Sequence, residues 1–251
     1  MGQTAIEGIG KNGGYCHRCR TWHVLPWVEA WQACADLMAD LHRHGRIDIT
    51  QPNEKTDARC STAPLFAAGA GKMLGLLLGR DVQGNEQRLL AFSGMFNGLW
   101  QVDGWAEPVF NLPDFLTLHG PAEKMIKTLG AQLASLPASA PEQSVLRKKR
   151  RELSRQNMAA IHTLYTLRNF RGEEQPLTSF FPPTSGPPSG TGDCCAPKLL
   201  HLAQCLRLRP FSMAEFYWGG SSASASRIHG HRYAPCASKC QPILGFQLCG
   251  L

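Results

Sequence analysis

The chain has 251 residues, 43% of them hydrophobic and 18% charged, and its formal net charge is +7. This length and composition predict a globular protein with a sizeable core, in one large domain or two small ones. The longest apolar stretch, 64–79, carries Lys72 and falls short of the roughly 20 residues that a membrane span needs. Residues 1–14 lack a secretory apolar region. We therefore expect a cytoplasmic protein whose ten cysteines are free thiols, metal ligands or reactive groups.

Positive charge is concentrated in two segments of the chain. Residues 1–140 hold 12 Lys or Arg against 13 Asp or Glu, whereas 141–172 hold 8 against 2 and 198–251 hold 6 against 1. Two basic segments around the acidic stretch 173–197 indicate a polyanionic partner, and RNA is the one we expect for a cytoplasmic protein. The alternative is a solvated basic surface that binds nothing.

The first half of the chain predicts one amphipathic helix and a β-rich segment. Trp27–Arg46 has apolar residues at steps of three and four, and Gly45 ends the pattern. The small-residue run 67–79 predicts a helix or a strand. Residues 88–110 predict a β-hairpin or meander with turns at its Asn-Gly and Asp-Gly pairs.

The second half predicts helices around a Pro/Ser/Gly linker. A short helix is expected over Lys124–Leu136 and a long one over Glu142–Asn169, and the linker over 176–190. The remainder predicts in order a helix, a strand, a loop and a helix: Cys194–Cys205, Arg209–Trp218, Gly219–Tyr233 and Pro235–Leu248.

Together these elements predict an α+β fold. We expect a small antiparallel sheet with packed helices, a long basic helix, and a C-terminal helix-strand-helix region with clustered cysteines. The expected segments are an N-terminal α+β region with a Cys/His knot, the basic helix, the linker and the cysteine-rich region: 1–140, 141–175, 176–190 and 191–251.

The C-terminal cysteines have a spacing that suits metal ligands. Cys236 and Cys240 are four residues apart, so they would share one face of a helix. Asp193 is the expected N-cap of the preceding helix, which would place Cys194 or Cys195 at a positive helix end that favours the thiolate.

This spacing predicts a structural zinc ion. Three of its ligands would be Cys195, Cys236 and Cys240, and the candidates for the fourth are Cys194, His229 and His231. Buried apolar cysteines that bind no metal are the alternative.

The same arrangement resembles the zinc site of cytidine-deaminase-like proteins. Those carry Cys/His-Ala-Glu at one helix start and Pro-Cys-x-x-Cys at the next. Here Pro197 occupies the position of the catalytic Glu, and the second pair is spaced by three residues rather than two. A working deaminase would need Glu215, on a predicted strand, to reach a metal-bound water, whereas a structural metal site would not.

A second cysteine pair lies near the N-terminus. Cys16-x2-Cys19, with His17 and His23, is half of a zinc knuckle. Its remaining ligands are expected from Cys34, Cys60 or a histidine.

The predicted long helix carries a basic ridge that suits phosphate contacts. Such contacts raise affinity without reading sequence. The candidate RNA-binding residues are Arg147, Lys148, Lys149, Arg150, Arg151 and Arg155. A solvated helix face is again the alternative.

Several sequence blocks closely resemble the N-terminal extension that some bacterial RluA-type pseudouridine synthases carry ahead of their catalytic domain. The blocks are AFSGMFNGLWQVDGWAEPVF, SRQNMAAIHTLYTLRNFRG, GTGDCCAPKLL, MAEFYWGG and HGHRYAPCASKCQPILG. Such enzymes are isomerases that convert uridine to pseudouridine in ribosomal or transfer RNA, using a His-Arg-Leu-Asp motif. That motif does not occur in this chain, so no catalytic residue is assigned.

The resemblance implies that this chain is the extension alone. We expect an RNA-binding accessory module for rRNA or tRNA modification, with a separate pseudouridine synthase subunit as a further partner and no membrane partner. The alternatives are a divergent zinc-dependent nucleobase deaminase, and a protein-interaction module that docks on a separate synthase.

Overall fold

The computed structural model describes residues 12–137, 139–222 and 226–251. Its elements follow in the order β1 Asn12–Cys16, β2 Thr21–Leu25, α1 Val28–His44, β3 Lys72–Arg80, β4 Glu86–Phe92, α2 Leu112–Ser135, α3 Glu142–His162, β5 Thr166–Arg168, β6 Glu174–Pro176, α4 Cys195–Cys205, β7 Arg209–Trp218, β8 Arg232–Tyr233 and α5 Gln241–Gln247. Helices and antiparallel strands are both present, so the predicted α+β class is confirmed.

The chain forms two compact units. The first contains the described residues up to Val109 together with Leu167–Gln175 and Gly190–Leu251, and the second contains Phe110–Thr166 and Pro176–Ser189. Within the described ranges, no helix has the length and apolar character needed to cross a lipid bilayer.

A four-stranded antiparallel sheet of order β4-β3-β7-β8 is the centre of the first unit. Its two middle strands are buried along nearly their whole length, because both faces of the sheet are covered. Alternate side chains enter different cores: Leu74 and Leu76 pack with α1, whereas Met73 and Leu77 pack with α4 and α5.

Helix α1 covers one face of this sheet. Its buried residues recur at steps of three and four, which is the periodicity that predicted it: Ala30, Cys34, Leu37 and Leu41. Gly45 ends α1 in the left-handed conformation with φ of 64°, as its position in the sequence predicted.

Helix α4 approaches the other face at Gly75 in β3. A Cβ atom on Gly75 would lie 2.7 Å from the Cβ atom of Cys195 and 3.4 Å from Cγ of Glu215. The missing side chain therefore allows the first turn of α4 to contact the sheet directly.

The hairpin of β1 and β2 packs on α5 in the same way. A Cβ atom on Gly14 would lie 2.1 Å from the carbonyl oxygen of Gln241, and one on Gly245 would lie 2.3 Å from the carbonyl carbon of Tyr15. Two glycines thus bring β1 against α5, and the start of the described chain against its last residues.

The second unit contains the antiparallel pair α2 and α3. Nδ2 of Asn157 lies 2.9 Å from Nδ1 of His119, which joins the helices at one end of the pair. At the other end, Nε2 of Gln143 donates to the carbonyl oxygens of Leu133 and Leu136 at 3.2 and 3.0 Å. These bonds satisfy carbonyls that the end of α2 would otherwise leave without partners.

Several element bounds differ from the sequence expectations. Residues 88–110 do not form their own hairpin, because β4 pairs with β3 and the chain then continues through turns. The short helix expected from Lys124 begins twelve residues earlier, at Leu112. The long basic helix ends at His162, and the linker 176–190 contains a short 3-10 helix that buries Leu177.

Candidate metal centres

Three thiols from two distant segments meet in the first unit. Cys194 precedes α4, and Cys236 and Cys240 precede α5; their Sγ atoms all lie within 4.8 Å of one another. The Sγ atoms of Cys236 and Cys240 are 3.6 Å apart, close to the roughly 3.8 Å that separates two sulfurs bound to one tetrahedral zinc ion. We call Cys194, Cys236 and Cys240 the three-thiol cluster; it could hold a metal ion.

The third thiol is Cys194, not the expected Cys195. Cys194 is the N-cap of α4 and has extended backbone angles, whereas Cys195 is its first helical residue. That one-residue step turns Cys195 toward the sheet, where its fully buried Sγ donates to the carbonyl oxygen of Met73 at 3.3 Å. Burial raises the pKa of Cys195 well above its usual value, so it stays a thiol.

The N-cap of α4 also differs from the expectation. Asp193 was expected to cap this helix, but the N-cap position is occupied by Cys194, whose side chain makes no capping hydrogen bond. The backbone N–H of Ala196 is instead satisfied by Glu215, which accepts at 2.9 Å through Oε1.

Cys236 and Cys240 were expected on a helix, but both lie before the start of α5. The segment 237–240 is a turn, closed by a hydrogen bond of 3.1 Å from N of Cys240 to O of Cys236, and α5 begins only at Gln241. The turn still places both sulfurs on one side, so the consequence expected from the spacing is retained although the helix is not.

The three thiols shift one another's pKa values. Side-chain contacts with Cys194 and Cys240 hold the pKa of Cys236 far below its usual value. The contact with Cys236 raises the pKa of Cys194 to about 12. Because a metal ion binds the thiolate form, its coordination by all three sulfurs would release protons.

The carboxylate of Glu215 lies beside this cluster. Glu215 is on β7, opposite Gly75 in the register, and only 4% of its surface is exposed. Burial raises its pKa to about 7 against the hydrogen bond from Ala196, which lowers it. It lines the same cavity as all three thiols.

The two candidate histidines lie elsewhere. The ring of His229 packs on Trp218 with centroids 4.4 Å apart, and its Nδ1 accepts from the backbone N–H of Gly219 at 3.1 Å. His231 is exposed and pairs with β7 through its backbone carbonyl, which accepts from Tyr217. Neither belongs to a metal-ligand group among the described residues.

A second cluster joins the first hairpin to the residues after α5. The ligand atoms of Cys16, Cys19, His23 and Cys249 all lie within 4.8 Å of one another, and Sγ of Cys19 is 3.0 Å from Nε2 of His23. That contact lowers the pKa of Cys19 to about 7. We call these residues the four-ligand cluster; a set of three cysteines and one histidine could hold a metal ion with no open position.

Cys249 is the ligand that the sequence expectation lacked. The second pair of ligands, beside Cys16 and Cys19 with His17 and His23, was expected from Cys34, Cys60 or a histidine. Cys34 is instead buried on the sheet-facing side of α1, and Cys60 is buried in a 3-10 helix; burial raises the pKa of each thiol to about 12. His17 packs against Tyr15 and is not in the cluster.

The six candidate RNA-binding residues are all exposed on α3. Five consecutive helical residues cannot share a face, so they divide by their spacing. Lys148, Arg151 and Arg155 follow one another at steps of three and four and form one face, which is distinct from the side buried at Gln143, Asn157 and Ile161. We call these three residues the basic face.

The remaining three basic residues lie beside or away from this face. Both Nε and Nη2 of Arg147 donate to Oε1 of Gln143, at 3.0 and 2.7 Å. Nη1 of Arg150 lies near Gly130 of α2, and Lys149 is on the flank away from the basic face.

Comparison with protein families, with curated proteins and with solved structures finds no match to this chain. The relation to RluA-type synthases is accordingly a proposal based on the sequence blocks alone.

Proposed function

We propose that this chain is an RNA-binding module that serves an RluA-type pseudouridine synthase, in the modification of ribosomal or transfer RNA. The observation that carries the proposal is the basic face of α3. Lys148 and Arg151 are exposed, and neither makes an ion pair within 4.0 Å with any residue in the described ranges. The resemblance of the sequence blocks supplies the class of RNA and the partner enzyme.

Electrostatics support RNA over a solvated surface that binds nothing. Lys and Arg side chains on an exposed helix are usually balanced by Glu or Asp three or four residues away. Helix α3 has six basic residues and only two acidic ones, Glu142 and Glu152. Glu152 pairs with Arg155 at 2.9 Å, and the charge of Lys148, four residues before it, also lowers its pKa. The net positive charge that is left on α3 can meet phosphates, each of which releases counterions on contact.

The test is a salt series of RNA titrations with a charge-reversal variant. Lys148→Glu/Arg151→Glu should weaken binding to tRNA and to rRNA fragments by a similar factor for each RNA. It should also lower the slope of log K against log salt by about two, since two phosphate contacts are lost. Filter binding at salt concentrations from about 50 to about 200 mM gives both the affinity for each RNA and the slope of log K against log salt.

The matched control is Lys55→Glu/Lys124→Glu, which reverses two exposed lysines outside α3. It should bind RNA with a slope close to that of the unaltered protein. Equal losses in both double variants would mean that net charge alone attracts RNA, and absence of salt-dependent binding at micromolar protein would reject the proposal.

We further propose that zinc is the ion held by the four-ligand cluster, in a structural role. Thiolate and imidazole ligands suit zinc, and four protein ligands complete its tetrahedral coordination. The ion would tie β1 and β2 to Cys249 and so stabilise the packing of the hairpin on α5.

A further inference from the structure

The three-thiol cluster lines a cavity of about 390 Å³. This volume falls within the range of small-molecule sites, and a solute as small as hydrogen peroxide needs much less. The charged side chains of Glu215, Arg227 and Lys239 line the same cavity, so polar solutes can enter it. The thiols of the cluster are therefore within reach of small polar reagents.

The cysteines around this cavity differ in how accessible they are. Cys236 is half-buried, whereas only 1% of the surface of Cys240 is exposed. Cys195 is fully buried, and its Sγ donates to the carbonyl oxygen of Met73 on the sheet. A reagent in the cavity thus meets Cys236 more readily than Cys240, and Cys195 is turned away from it.

Cys236 and Cys240 also meet the geometric requirements of a disulfide bond. Their Sγ atoms are 3.6 Å apart and already in contact. The turn between them is closed by a hydrogen bond from N of Cys240 to O of Cys236. Such a turn separates the Cα atoms of its two ends by about 6 Å, within the roughly 4.4–6.8 Å that disulfides span. Joining the two sulfurs therefore needs rotation of the side chains and no movement of the backbone.

A metal ion at this cluster would depend on the same sulfur atoms. Zinc was the ion expected at the C-terminal cysteines, and thiolate ligands suit it. A disulfide between Cys236 and Cys240 would leave Cys194 as the only thiolate of the cluster. Zinc sites in proteins use three or four protein ligands, so the disulfide and the bound zinc ion exclude each other.

We propose that the three-thiol cluster is an oxidation site, at which a hydroperoxide joins Cys236 to Cys240 and thereby releases zinc. The thiolate of Cys236 attacks one oxygen of hydrogen peroxide; an S–O bond forms, the O–O bond breaks, and the leaving hydroxide takes a proton from solvent. The thiolate of Cys240 then attacks the sulfur of this sulfenic acid. The S–S bond forms, the S–O bond breaks, and a second hydroxide leaves and is protonated. The two sulfurs together lose two electrons, and the peroxide is reduced to two water molecules.

Peptide mapping after oxidation tests this bond directly. Trypsin cleaves after Arg232 and Lys239, so it places Cys236 and Cys240 in separate peptides. The Cys249→Ser variant is used because Cys240 is then the only cysteine of its peptide, and because the four-ligand cluster is disabled. Hydrogen peroxide should link the two peptides of the zinc-loaded variant and release its one equivalent of zinc. Dithiothreitol should separate the peptides again and restore zinc binding.

The unaltered chain provides the same measurement without a substitution. Fragment spectra of the linked peptides distinguish a bond at Cys240 from one at Cys249. Its zinc content should fall by at least one equivalent as the link forms.

The matched control is the double variant Cys195→Ser/Cys249→Ser, which lacks the thiol that faces the sheet. It should give the same link and the same zinc release. Cys205 is exposed, so its oxidation reports the dose of peroxide. Unlinked peptides and retained zinc after Cys205 has been oxidised would overturn the proposal. Zinc release without the link, or a link from Cys236 to the peptide that carries Cys194, would also overturn it.

This inference does not rest on the RNA proposal. The cluster belongs to the first unit and the basic face to α3 in the second, and the mapping experiment contains no RNA. A linked pair of peptides in a chain that binds no RNA would support the oxidation site and leave the RNA proposal rejected.

Discussion

The contact between Gly245 and β1 predicts that Gly245→Ala disrupts the four-ligand cluster. In most helices this substitution is favourable by up to about 1 kcal/mol, because alanine has the higher helix propensity. Here the new Cβ atom would lie 2.3 Å from the carbonyl carbon of Tyr15 and 2.7 Å from the backbone nitrogen of Cys16. Both atoms belong to backbone, which cannot move aside as a flexible side chain can.

The size of the effect follows from this overlap. Ordinary van der Waals contact begins at 3.4 Å, so β1 and α5 must separate by roughly 1 Å, which typically costs about 1–3 kcal/mol. Set against the gain in propensity, we expect a net loss of about 1–2 kcal/mol in the free energy of unfolding. The same displacement carries Cys16 away from Cys249 by more than the roughly 0.2 Å that metal–ligand distances tolerate.

Urea unfolding and zinc analysis of the purified variant measure these two effects. Gly245→Ala should unfold at lower urea and lose one equivalent of zinc. The control is Gly130→Ala in α2, where the nearest atom to the new Cβ atom is Nη1 of Arg150 at 3.6 Å, an ordinary contact, and the only effect should be a small gain in stability. A Gly245→Ala protein that keeps all its zinc and is as stable as the control variant would refute the packing argument.

Two further predictions concern Lys198 and the removal of metal. Burial lowers the pKa of Lys198 from 10.5 to about 8. Between these two pH values the unfolded chain therefore binds one proton more than the folded chain at this amine. The free energy of unfolding should accordingly rise by about 3 kcal/mol as the pH rises across the interval. Lys198→Met should lack that rise in urea unfolding at pH 7 and pH 10; parallel pH profiles for both proteins would contradict the buried amine. A zinc chelator should lower the melting temperature of the unaltered protein, and by a smaller amount in Cys249→Ser, since one of the two ions is already absent. Equal shifts would show that the four-ligand cluster does not stabilise the fold.

Much of the local structure was predictable from the sequence because it depends on neighbours in the chain. Apolar periodicity and Gly45 located α1, and the strand expected at Arg209–Trp218 is β7 with the same bounds. The α+β class followed from such elements. The pairing of strands could not be predicted from neighbours in the chain. A hairpin or meander was expected within 88–110, whereas β4 pairs with β3.

The metal ligands show where the sequence stops being informative. Cys194 and Cys195 are adjacent, and only the position at which α4 begins decides which thiol faces Cys236. The nearest cysteine to Cys249 in the sequence is Cys240, nine residues earlier, so no ligand spacing marked Cys249 as a candidate. It reaches Cys16 because Gly14 and Gly245 bring β1 against α5. Adjacent glycines inside a strand indicate a close approach of two backbones, and Gly13-Gly14 in β1 was the signal of it in the sequence.

The most direct test of this account is the zinc content of three cysteine-to-serine variants. The unaltered chain should contain two equivalents of zinc, Cys194→Ser and Cys249→Ser one each, and Cys195→Ser two, because its thiol bonds to Met73 and binds no metal. Loss of zinc in Cys195→Ser, or two equivalents retained in Cys194→Ser and Cys249→Ser, would contradict the two metal centres.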